Sequence, residues 1–76
     1  MNYSKYIEIN PEIMVGKPVI KNTRITVELI IEKLSAGESM EQILASYPRL
    51  KRNHILAALS YAAAIIKGES IFPIAS

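Results

Sequence analysis

The chain contains no cysteine, no tryptophan and, read residue by residue, no aspartate. Without cysteine, disulfide frameworks and thiolate metal sites are excluded. Without aspartate, and with His54 as the single histidine, too few ligands remain to hold a metal, and no cofactor is expected. Cysteine nucleophiles and the aspartate clusters that bind Mg²⁺ for phosphoryl chemistry are missing too. His54 could pair with one of the serines, but a triad also needs an orienting third group and an oxyanion hole. Glycine is sparse: Gly16, Gly37 and Gly68 stand alone, so there is no glycine-rich phosphate loop. These gaps point away from an enzyme working alone and from a small-molecule substrate.

Long hydrophobic runs are also lacking. The longest uncharged stretch, Asn53 to Ile66, is 14 residues, short of the 17 or so that a spanning helix needs. The first residues, Met1 to Ile9, carry no apolar run of signal-peptide type. A cytoplasmic protein with no membrane partner is the expectation.

What is present is a hydrophobic chain of small size. Half of the 76 residues are apolar and 21% are charged, a balance that argues against disorder and for one domain. A chain this short buries only about 60% of its unfolded surface. Disulfides and metals being excluded, oligomerisation is the remaining support, and a homodimer is expected. The net charge of +2 is too weak to announce a nucleic-acid partner, but its distribution is uneven. Residues 1–25 and 49–76 are basic, while residues 26–48 carry only Lys33 against Glu28, Glu32, Glu38 and Glu41.

The pattern predicts a mainly α fold in three parts: strands and turns over 1–25, a three-helix unit over 26–67, and an extended tail over 68–76. Ile7 and Ile9 alternate with Glu8, as in a half-buried strand. Pro11 stops that strand, and Val19-Ile20 forms a second. Between them and the helices, Lys21-Asn22-Thr23 reads as a turn in which Asn22 takes a left-handed conformation. Thr26 caps the first helix, whose Val27, Ile30, Ile31 and Leu34 form one apolar stripe, and Gly37 ends it. Ser39 and Gln42 make a capping box for a short second helix that Pro48 stops. A third helix runs from about Arg52 to Lys67, with Gly68 as its terminator. Its core stripe is expected at Ile55, Leu56, Leu59, Ala63 and Ile66.

That third helix has more apolar surface than one stripe requires. Ala57, Ala58, Tyr61, Ala62, Ala64 and Ile65 cover much of the remaining circumference. Alanines there favour helix and tolerate water, but Tyr61 and Ile65 are costly to leave wet. They are therefore candidates for an oligomer or partner interface. Ile71, Phe72 and Ile74 of the tail join them as candidates. The tail either folds back over its own core or crosses to another subunit or partner groove.

A short second helix, a tight turn and a basic start to the third suggest a helix-turn-helix, in which the third helix enters the major groove. Arg49, Lys51, Arg52, Asn53 and His54 are then the DNA-binding candidates, arginine and asparagine being the types that pair bidentately with guanine and adenine. The same residues read equally as a solvated surface, with His54 neither ligand nor base. Arg24 could bind phosphate or cap the backbone carbonyls of the strand segment, and the structural role fits better.

Several segments in order resemble one family: Gly16-Lys-Pro-Val-Ile-Lys-Asn-Thr-Arg-Ile25, Thr26-Val, Leu34-x-x-Gly37-Glu-Ser39, Ile43-Leu44, Tyr47-Pro48-x-Leu50, and Ile55-x-Ala-Ala-Leu59-x-Tyr61-Ala62. They are similar to the bacterial and archaeal domain-of-unknown-function family four-three-three, over about residues 7 to 67. The resemblance implies a homeodomain-like three-helix fold behind a small β element, often dimeric. It further implies an antitoxin of VapB type, encoded beside a PIN-like ribonuclease toxin, binding promoter DNA with its helices and masking the toxin with another segment. The family pattern has glycine at Asn22, threonine at Lys51 and acidic residues at Asn53 and His54. Those departures make the helix start more basic here and remove a threonine cap, which costs about 1 kcal/mol unless Asn53 caps instead. The expected function is a DNA-binding antitoxin. The alternative is a module that dimerises and binds a protein partner without touching DNA.

Overall fold

The computed structural model describes residues 2–68. Its elements are two strands, β1 (Ile7–Glu8) and β2 (Val19–Ile20), followed by three helices, α1 (Val27–Ser35), α2 (Met40–Ser46) and α3 (Arg52–Lys67). One turn of 3-10 helix, Tyr3–Lys5, precedes β1 and another, Met14–Gly16, lies between the strands. The fold is thus mainly helical with a small antiparallel sheet at its N-terminus. Ile7 pairs with Ile20 and Glu8 with Val19.

The local signals act where the sequence puts them. The Thr26 hydroxyl accepts from the Leu29 amide at 3.0 Å and opens α1. Ser39 and Gln42 exchange both bonds of a capping box, at 3.1 and 2.8 Å, and open α2. Gly37 and Gly68 take positive φ after α1 and at the end of α3, which glycine does without a Cβ penalty. Asn22 is left-handed at φ 64°. The expected β run through Ile9 does not form: β1 ends at Glu8, and Ile9 is 59% exposed. The partner strand β2 is only two residues long and pairs with Ile7 and Glu8 alone, so Ile9 has no strand opposite it to hold it on the core face.

The core consists of Ile7, Ile20, Val27, Ile30, Ile43, Leu50, Ile55, Ala57 and Ala58, with Tyr3, Tyr6, Ile25 and Tyr61 among the half-buried residues packed against it. Helix α3 is rotated relative to the expected phase. Ile55 is buried as anticipated, but Ala57, Ala58 and Ala64 face inward, whereas Leu59 and Ile66 are 43% and 80% exposed and Ala63 is also exposed. The cause is space. Branched side chains from β2, α1 and α2 already fill the interior, and alanines let α3 approach them closely. No helix among the described residues is long and apolar enough to cross a membrane.

One backbone segment departs from ordinary geometry. Met14 and Val15 have φ of 50° and 57°, followed by Gly16 at 78°. A β-branched residue in the left-handed region is a genuine outlier, and the Val15 side chain is 93% exposed.

Candidate nucleic-acid interface

Helix α3 begins without a side-chain cap of the usual kind. Lys51 occupies the N-cap position, and its ammonium has no lone pair to offer the helix amides. The first turn is secured from the other side: the Lys51 amide donates to His54 Nδ1 at 2.8 Å. His54, rather than Asn53, therefore supplies the capping interaction. Its ring stands edge-on to Tyr6, 5.6 Å between centroids, which fixes its orientation. Burial, and secondarily the charge of Lys51, hold its pKa below the usual imidazole value. The neutral ring that results is the form able to accept the hydrogen bond from the Lys51 backbone amide.

The remaining candidates divide by what they touch. Arg49 donates from a terminal guanidinium nitrogen to the Asn22 carbonyl at 2.7 Å. Arg52 lies back along α2, its Nη1 3.4 Å from the Met40 sulfur. Lys51 and Asn53 are exposed. The proposed reader residues are thus adjacent at one end of the molecule, but Arg49 and His54 also hold structure together.

The bond from Arg49 corrects the role expected for Arg24. The arginine that caps a backbone carbonyl of the strand segment is Arg49, from the α2–α3 connection. Arg24 is exposed and has neither a hydrogen-bond nor an ion-pair partner among the described residues. It sits on a loop with little freedom. Ile20 N donates to Ile25 O at 2.9 Å and Thr23 N to Ile20 O at 3.0 Å. The Thr23 hydroxyl donates to Ile20 O at 2.7 Å and accepts from Ile25 N at 3.0 Å. Between this loop and the α2–α3 connection lies an open cleft of about 450 Å³ lined by Glu8, Ile13, Asn22, Thr23, Arg24 and Arg49. Sequence reasoning missed it, because Asn22 and Arg49 are 27 positions apart and no local pattern connects them.

The interface candidates on α3 are not freely exposed. Tyr61 is half-buried and meets Tyr3 edge-on, 5.3 Å between centroids, and Ile65 is half-buried. Ile71, Phe72 and Ile74 lie outside the described residues. The apolar side chains left facing solvent on α3 are Leu59, Ala63 and Ile66, with Leu56 partly exposed beside them. Among the described residues no group of His, Cys, Asp and Glu side chains could hold a metal ion.

Fold and surface together define a small three-helix protein with a β hairpin at its N-terminus and a basic edge where hairpin and third helix meet. Residues 7–62 match the family model described as "Protein of unknown function (DUF433)", and the chain belongs to that family. It is 36% identical over 55 residues to the uncharacterized protein y4eO of Sinorhizobium fredii (strain NBRC 101917 / NGR234), an alignment that covers 72% of this chain and 25% of that protein. The chain therefore spans about a quarter of the length of that relative. Among solved structures it is similar to a DUF433 member from Anabaena variabilis ATCC 29413, with a TM-score of 0.78, 30% identity, and coverage of 88% of this chain and 70% of that one.

Proposed function

We propose that this protein is a DNA-binding regulator of the antitoxin kind, in which α2 and α3 act as a homeodomain-like helix-turn-helix and a separate apolar surface takes a protein partner. The observation that carries the reading is the Arg49–Asn22 bond. It joins the loop bearing Lys21 and Arg24 to the α2–α3 connection, so that Arg24 and Arg49 line one cleft and Lys51 and Arg52 follow directly in sequence. Phosphate contacts from the loop would fix register, while Lys51, Arg52 and Asn53 reach base edges. The partner in this reading is a PIN-like ribonuclease toxin, any catalysis residing in that partner. The DNA-bound form is a homodimer on paired half-sites.

The test is binding to the protein's own promoter. Sequence-preferring affinity that falls steeply between about 50 and 200 mM salt is expected. Lys51→Ala with Arg52→Ala should weaken DNA binding and leave association with the toxin unchanged. Absence of any promoter preference at low salt removes the DNA half. A second reading, a protein-interaction module without DNA contact, draws on the stripe of exposed Leu59, Ala63 and Ile66 with partly exposed Leu56 and on the contact of Arg52 with Met40. Under that reading the double alanine variant changes nothing measurable.

A further inference from the structure

We propose that the cleft between the 21–24 loop and the α2–α3 connection is a phosphate seat, with Arg24 as its gripping residue and Arg49 as its fixed wall. The inference rests on the DNA reading only for the source of the phosphate, which is then the nucleic-acid backbone rather than the free ion.

The chemistry follows from how the two guanidiniums are held. Arg49 spends one N–H on the Asn22 carbonyl, and a guanidinium carries five in a planar fork. The guanidinium is therefore anchored on a residue that lines the cleft, with donors to spare. Arg24 lines the same cleft and has no partner of its own among the described residues. Two guanidiniums lining one open concavity favour an oxyanion that offers two oxygens to a planar fork, and phosphate and carboxylate are the groups that match. The loop after β2 that presents Arg24 is closed by backbone bonds and by the Thr23 hydroxyl, so little further ordering is needed when a ligand arrives.

Glu8 sets the limit. Its carboxylate lines the cleft as well, leaving the lining a net charge of one positive unit. A single phosphodiester charge suits that balance, whereas a polyphosphate would meet repulsion at Glu8. The volume, about 450 Å³, exceeds one phosphate group and leaves room for the adjoining sugar beside Ile13. The duplex phosphate then lies next to the start of α3, where the base-reading candidates begin.

The experiment measures anisotropy of a labelled mixed-sequence duplex against the full chain over a salt series, together with amide shifts of Asn22, Thr23 and Arg24 on adding inorganic phosphate. Lys67→Ala, at the far end of α3, controls for the loss of one charge. Arg24→Ala should weaken duplex binding about tenfold and lower the salt slope by about one. Arg24→Lys should recover only part of the loss, since an ammonium keeps the charge but not the fork. An Arg24→Ala effect no larger than that of Lys67→Ala overturns the proposal, even if promoter binding by α3 stands. Should the wild type bind no duplex, phosphate-dependent shifts confined to the 22–24 amides uphold the seat for free phosphate while the DNA reading fails. Absence of both overturns the seat as well.

Discussion

At the scale of single residues, His54 and Val15 carry consequences that can be measured. His54 accepts the Lys51 amide only while its ring is neutral, and its folded pKa is lowered by burial and by Lys51. In the unfolded chain the ring titrates near its usual value of about 6.5, so below that pH the unfolded state binds the extra proton first. The contribution of His54 is therefore complete above about pH 6.5 and is lost as pH falls through the lower folded pKa. His54→Ala should cost about 1 kcal/mol at pH 7.5, lowering Tm by about 4–8 °C. The gap between variant and wild type should narrow on going to pH 5 in paired thermal melts. Val15 runs the other way. A left-handed β-branched residue stores about 1–3 kcal/mol, glycine costs about 0.5–1 kcal/mol in chain entropy, and an exposed side chain loses no packing. Val15→Gly should raise Tm by several degrees, on the order of 1 kcal/mol. A lower Tm would overturn the reading of Val15 as a strained position.

At the scale of elements, α3 decides how the fold is assembled. Its inward face is Ile55, Ala57, Ala58 and Ala64 and its outward face includes Leu59 and Ile66. Ala58→Leu should therefore cost about 1–3 kcal/mol by overpacking, while Ile66→Ser should stay within about 0.5 kcal/mol. Chemical denaturation of the two variants checks this, and the opposite ranking would restore the rotational phase expected from the sequence. That phase was not legible for a physical reason. A helix apolar on nearly every side has no single stripe, and only the competition for interior volume selects one. Helix ends were legible because they are local: Thr26, Ser39 with Gln42, Gly37 and Gly68 each act within four residues of themselves. Asn22 was legible in the same way. The cleft was not, since Arg24 and Arg49 become neighbours only through a bond between segments 27 positions apart. The arginine candidates were found, but the structural role fell to the other one.

At the scale of the whole molecule, the open question is how so short a chain without staples becomes a stable unit. Its core is built largely from isoleucines and alanines, and the side of α3 suspected of being surplus is partly covered by the chain's own first turn through Tyr3. The surplus that remains is the stripe Leu56, Leu59, Ala63 and Ile66. Its spacing of three, four and three residues is that of a coiled-coil seam, which suits a second copy of the same helix. Standard interfaces engage about 20–30 residues a side, far more than this stripe supplies. A dimer built on it alone is weak and concentration-dependent, and paired half-sites on DNA would stabilise it by holding two copies together. Replacing Leu59 and Ile66 with glutamate should leave the monomer's Tm within a few degrees of the wild type, since neither side chain is buried. Under the proposed homodimer, the wild type should associate with rising concentration in sedimentation experiments while the variant remains monomeric. Under the proposed DNA reading it should keep the affinity for a single half-site but lose the added affinity for two. A variant that sediments and binds like the wild type would remove this face of α3 from the interface and leave the apolar excess to residues beyond Gly68.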